Sequence, residues 1–309
     1  MTKKKKKSRL FWLAISIVGL IIAAPNGTII RHTIIDADPY FFNSLRFGLI
    51  ALITTPIMVK YRSMFTKKNV WYSLNAGFFM AIAVISYVWA LKLSQASYVS
   101  IITLLSPIVF ILLSIKLDNG KITRRALAGV SLAALGALTI VALPIALSQN
   151  QPFVFYPTAT ILALVNCVTF PLAILAYKQA DDHKIPMLAS FSVSSWVICL
   201  INVIALAIAR PALVAPDLTF LSGIFYSGVM VALLSRIIGV RSYEHLGTTV
   251  TSVLWYLETF LAILLPVLIL GEKLSLEMIA GGMLILAGVY IVEHHSKTHH
   301  KHRLHMHIR

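Results

Sequence analysis

One carboxylate, Glu258, stands near the middle of an apolar stretch spanning residues 248–270, with no Lys or Arg one helical turn away to neutralise it. An ionisable group at the centre of a membrane span costs at least about 2.5–3.5 kcal/mol, so it normally faces a cavity or a partner. Apolar surroundings disfavour the charged form of a carboxylate, which lets such a group cycle between ionised and neutral states. That chemistry suits a proton-coupling residue or a contact for a cationic part of a solute. The alternative is a hydrogen-bonded structural glutamate between helices. Ser252, Trp255 and Glu258 recur every three residues and therefore share one helix face. Ser100, Thr103 and Ser106 make a second polar stripe of the same spacing, and helix packing by Ser and Thr is the alternative reading for both.

Arg46 lies inside another apolar stretch, where it can snorkel to the nearer surface, pair with a carboxylate such as Asp38, or bind a solute anion. The first two readings are preferred, and Arg236, close to Arg241, is read the same way. Asn26 sits between Pro25 and Gly27, so its helix is expected to be distorted there and to free backbone groups toward a cavity. Asn75 and Asn166 are deep enough to join it, whereas Asn43 and Asn202 fit helix–helix contacts better. Trp89, Tyr226, Trp255 and Tyr256 are aromatic surfaces on which an organic solute could stack. A solute cavity is therefore expected from Asn26, Asn75, Ser100, Thr103, Ser106, Asn166, Tyr226, Ser252 and Trp255 around Glu258. No phosphate-binding loop, nucleophile–base arrangement, dinucleotide loop or metal-ligand pair occurs within the spans, so neither a cofactor, a resident metal nor an enzyme is expected. His294, His295, His299, His300, His302, His305 and His307 crowd the C-terminal tail and offer metal-ion export as a rival reading. A membrane enzyme would need a second catalytic group beside Glu258, and none stands out.

The elements that must hold these residues follow from composition. Hydrophobic residues make up 58% of the chain and charged ones 12%, far outside the range of a soluble domain. The apolar residues come in blocks of about twenty without strand-like alternation, the length of a membrane-crossing helix. Ten spans are expected: residues 10–30, 40–59, 70–91, 96–115 and 125–147, then 153–177, 187–209, 218–240, 248–270 and 276–292. Lys and Arg gather in the N-terminal run, in alternate loops and in the C-terminal tail, which places both termini on the cytoplasmic side of a cell membrane. The same rule accounts for the net charge of +16, so no nucleic-acid partner is implied. The partners expected are the lipid bilayer and a small-molecule solute. Glycines 129, 136, 281, 282 and 288 give two spans small-residue faces, suited to close packing within the molecule or in a homodimer.

Residues 93–141 and 245–293 align without a gap: Ser100 falls on Ser252, Leu105 on Leu257, Lys121 on Lys273 and Gly136 on Gly288. Five spans per half is an odd number, so the second half should enter the membrane from the opposite side, as in secondary transporters built from inverted repeats. The expected organisation is a basic tail (1–9), a first five-helix repeat (10–147), a second (153–293) and a His/Lys-rich tail (294–309). Three runs then carry a family likeness: 87–97 (YVWALKLSQAS) leading into Leu105-Ser106-Pro107, Leu257-Glu258-Thr259 followed by 270–275 (LGEKLS), and 281–289 (GGMLILAGV). With Asp38-Pro39 and Arg46-Phe47, they make the chain resemble the EamA-type members of the drug/metabolite transporter superfamily. The resemblance implies an all-α, ten-helix membrane fold of two inverted five-helix repeats and alternating-access transport of a small polar metabolite. The family pattern has Glu-Pro where Glu258-Thr259 stands, which removes the reason for a kink at that point.

Overall fold

The computed structural model describes residues 3–117, 124–147, 156–213, 215–246, 248–288 and 290–291, and every regular element among them is helical. The first half holds α1 (Lys3–Ala23), α2 (Asn26–Thr33), α3 (Pro39–Lys60), α4 (Lys67–Leu93), α5 (Ala96–Thr103), α6 (Ser106–Leu117) and α7 (Arg124–Leu147). The second holds α8 (Pro157–Asp182), α9 (Met187–Ala209), α10 (Leu218–Phe225), a π-helical segment (Tyr226–Ser235), α11 (Arg236–Leu246), α12 (Thr248–Leu270) and α13 (Leu276–Gly288). Six stretches are long and apolar enough to cross a bilayer: Leu10–Thr33, Pro39–Lys60, Asn69–Leu93, Pro157–Asp182, Met187–Ala209 and Leu218–Gly239. Four further apolar helices are shorter. Leu52, Leu200, Ile208 and Leu268 stand exposed, as lipid-facing residues must. The histidine-rich tail lies outside the described residues.

Two helix breaks have identifiable causes. Pro25 has no N–H to give the preceding turn, so α1 stops at Ala23 and α2 restarts at Asn26. The released carbonyl of Ile22 accepts a hydrogen bond from Tyr226 Oη at 2.8 Å. Residues 96–115, expected as one helix, divide at Leu104 and Leu105, where tighter i→i−3 bonds (Leu104 N to Ile101 O, Leu105 N to Ile102 O) replace the α pattern ahead of Pro107. The repeat-related position to Pro107 is Thr259, and α12 runs through it unbroken. One residue difference thus makes the two related helices differ in shape.

The halves interlock rather than sit side by side. Helix α8 packs on α4, and α1 packs on α11 and the π-helical segment, so the leading helix of each half lies against the other half. Helix α3 packs on α9. Small polar residues tie α4 to α9: Ser73 and Ser190 hydroxyls meet at 2.8 Å, and Ser194 Oγ donates to Ser73 O at 3.0 Å. The glycine faces of α7 and α13 meet each other. A Cβ built at Gly136 would lie 2.5 Å from Gly281 O, and one at Gly288 would lie 2.4 Å from Gly129 O. Rising numbers on α7 meet falling numbers on α13, so the two helices are antiparallel. The contacts are also reciprocal, because Gly129 corresponds to Gly281 and Gly136 to Gly288. Close packing of these glycines is therefore met within the molecule. Gly136→Leu and Gly288→Leu should each lower stability by about 1–3 kcal/mol through overpacking. Matching losses in detergent melting curves would follow from the reciprocity; a loss in only one would contradict it.

Candidate functional site

A group of polar and ionisable side chains from both halves converges in the bundle. Arg46, on the third turn of α3, is 6% exposed, and its Nη2 donates to Ser227 O at 2.9 Å. That carbonyl belongs to the π-helical segment, whose wider turns change how its backbone groups are shared. Gly228 next to it leaves room for the Arg46 stem: a Cβ there would come 3.4 Å from Arg46 Cγ. Tyr87 on α4 is an electrostatic neighbour of both Arg46 and Glu258. Arg236, first residue of α11, is a neighbour of both Glu258 and Arg46. None of these is locked in a direct ion pair among the described residues. Gly27, opening α2, lies against the same place, since a Cβ there would be 2.8 Å from Tyr87 Oη and 3.9 Å from Ser100 Oγ. Helices α2, α3, α4, α5, α11 and α12 thus contribute to one polar centre.

The sequence-expected residues divide into three sets. Glu258, half-buried on α12, and buried Ser100 belong to the centre, and Asn26 stands beside Gly27 with an Oδ1 that has no protein partner. Several others are spent on structure. Asn166 Nδ2 donates to Ala83 O at 2.9 Å, Thr103 Oγ1 to Ser100 O at 2.9 Å, and Tyr226 Oη holds the α1–α2 break. Ser106 lies beside Cys167, whose Sγ donates to Ile102 O at 3.4 Å. Asn75 precedes Tyr87 on α4 by twelve residues, about 18 Å along the axis, so the two are not neighbours. The side chains of Ser252 and Trp255 lie outside the described residues.

The preferred readings of the two arginines are corrected. Arg46 does not snorkel, and Asp38 does not pair with it, because Asp38 Oδ1 caps α3 by accepting from Tyr40 N at 2.8 Å and Phe41 N at 3.0 Å. Arg236, first residue of α11, is intermediate in exposure and is an electrostatic neighbour of Glu258. Tyr87 was not singled out at all, although it opens one of the runs that carry the family likeness.

A second polar constellation ties helix ends together at one end of the bundle. Glu272, in the turn between α12 and α13, is buried at the start of α5. Its carboxylate accepts from Ala96 N at 2.8 Å, Ser97 N at 2.9 Å and Ser97 Oγ at 2.6 Å, and it pairs with Arg31 Nε at 3.2 Å. The first N–H groups of a helix have no intrahelical partner, and Gln95 provides no side-chain cap, so a residue from the other half supplies it. Arg31 Nη1 also donates to Leu91 O at 2.8 Å, and Lys92 Nζ donates to Ile34 O at 2.7 Å and Ala37 O at 3.2 Å. The ends of α2 and α4 are thereby satisfied by cations. Nothing local in the sequence signals this latch except that the Gly271-Glu272 turn is too short to carry its charge far from the helix ends.

Comparison with known proteins adds the family. A solved structure described as "Crystal structure of protein" is similar to this chain with a TM-score of 0.57 at 16% identity, covering 92% of this chain and 97% of that one. At that identity the likeness speaks for the fold alone. No curated protein shows a significant match. The profile of the EamA-like transporter family matches twice, over residues 10–142 and 157–293, once in each half. Two copies of that unit, apolar helices long enough to cross a bilayer and a polar centre between the halves agree: the chain is a multi-pass membrane protein and belongs to the EamA-like transporter family of the drug/metabolite transporter superfamily.

Proposed function

We propose that this protein is a secondary transporter that carries a small polar organic solute across a cell membrane by alternating access, driven by a proton gradient or by solute exchange. It has ten crossings in two oppositely inserted five-helix halves, with both termini cytoplasmic, and it is not an enzyme. The observation that carries the reading is the buried Arg46 guanidinium held on Ser227 O of the other repeat, with Tyr87 an electrostatic neighbour of both Arg46 and Glu258. Charged groups in a bilayer cost too much to be retained there without partner or solute. The antiparallel, reciprocal glycine contacts between α7 and α13 support the inverted relation, because a two-fold axis perpendicular to two helices produces that pattern. On this topology the Glu272 latch lies at the outer end. Glu258 is the coupling residue or solute contact, while Asn26 and Ser100 shape the pocket.

The test is flux in proteoliposomes. Purified protein should move at least one solute from a panel of amino acids, nucleosides and organic acids faster than empty liposomes, with a rate that responds to an imposed pH difference or to the same solute inside. No flux above the liposome background for any class would sink the reading.

A further inference from the structure

We infer that Arg46 is an anion-recognising residue and that the solute carries a carboxylate or phosphate; the inference rests on the transporter reading and specifies its site. Arg46 is 6% exposed and uses one guanidinium nitrogen on Ser227 O, while its Nε has no hydrogen-bond partner among the described residues. A backbone carbonyl orients a cation without neutralising it. Asp38, the nearest carboxylate in sequence, is spent on its helix cap, and the sole ion pair among the described residues joins Arg31 to Glu272. The neighbour that brings further charge to Arg46 is another cation, Arg236, which shares the one carboxylate of the centre, Glu258. Among the described residues, Arg46 therefore has no carboxylate in a direct ion pair with it. The centre is left with excess positive charge in a place where unpaired charge is disfavoured.

A bound solute anion removes that excess. The guanidinium supplies parallel N–H donors suited to two oxygens of one carboxylate or phosphate, which an ammonium cannot match. Anchoring through Ser227 O holds the group in place before the solute arrives, so less ordering is needed on binding. Asn26 Oδ1, also without a protein partner, offers an acceptor to a hydroxyl or amine elsewhere on the solute. Gly27 keeps that side of Tyr87 free of a side chain.

The experiment uses the full chain and matched probes: succinate against succinamide, and glycerol 3-phosphate against glycerol, in thermal-shift and proteoliposome-flux measurements on wild type, Arg46→Lys and Arg46→Gln. Wild type should favour one anion over its neutral partner, with succinate or glycerol 3-phosphate telling carboxylate from phosphate. Arg46→Gln should lose roughly 10- to 100-fold of that preference, and Arg46→Lys should keep part of it. A merely structural Arg46 would lower the melting temperature of both variants while leaving the anion-to-neutral ratio unchanged, which overturns the inference. Flux of neutral solutes with no preference for anions overturns it too, and leaves the transporter reading standing. Anion-dependent stabilisation lost in Arg46→Gln, without flux of any solute, supports the anion site and sinks the transporter reading. Neither stabilisation nor flux overturns both.

Discussion

Replacing Glu272 by Ala is expected to open the end of the bundle that the latch now ties together. The substitution removes three hydrogen bonds to Ala96 and Ser97 and the pairing with Arg31. It also leaves the first N–H groups of α5 uncapped and a cation without its counter-charge. Breaking a buried pair by deleting one partner costs about 3–5 kcal/mol, or roughly two to three and a half orders of magnitude in the equilibrium between closed and open ends. Glu272→Gln keeps an acceptor and should fall between the two. Under the repeat relation Glu272 corresponds to Gly120, so the sequence does not duplicate this carboxylate in the first half. Its loss should therefore act on one end only. A cysteine at Val99, fully buried on α5, in a Cys167→Ser/Cys199→Ser background reports the change. Its reaction with a water-soluble maleimide should be much faster with Glu272→Ala; equal rates would show that the latch holds nothing shut.

Glu258→Gln is expected to cut solute flux by roughly 10- to 100-fold, the range for a lost charge-assisted contact, and to leave the remainder insensitive to pH. The substitution preserves the shape of the side chain but removes both its charge and its titration. Glu258 is the carboxylate among Arg46, Arg236, Tyr87 and Glu258. With Gln in place, Arg236 also loses the carboxylate it faces, which should weaken binding of any solute whose cationic group used Glu258. Circular dichroism and the melting transition should stay close to wild type, since Glu258 makes no ion pair among the described residues. Undiminished flux with an unchanged pH profile would remove Glu258 from the mechanism.

Much of this architecture was legible in the order of residues. Apolar blocks dictated helices, and Pro25-Asn26-Gly27 announced the break that Tyr226 now bridges. The missing proline at Thr259 foretold an unbroken α12. Its repeat partner Pro107 held the opposite lesson: the run 96–115 is predominantly apolar and carries no charge, so its length masked a break that only the missing N–H betrays. What escaped the sequence was tertiary. Arg46 and Glu272 sit where snorkelling or exposure is the local expectation, and their burial depends on Ser227, Ala96 and Arg31, each far away along the chain. Asn166 and Tyr226 have the right depth and polarity for a solute wall, yet the backbone carbonyls of Ala83 and Ile22 take their donors. A buried donor goes to whichever acceptor would otherwise be left alone.

The claim on which the rest depends is that the two halves enter the membrane from opposite sides, and equivalent loops test it most directly. Ser63 lies in the turn between α3 and α4, and Ala215 lies in the corresponding turn between α9 and α10; both are exposed. In intact cells carrying the Cys167→Ser/Cys199→Ser chain, a membrane-impermeant maleimide should react with Ala215→Cys from outside and reach Ser63→Cys only after permeabilisation. Labelling of both from the same side would place the halves in parallel and contradict the account.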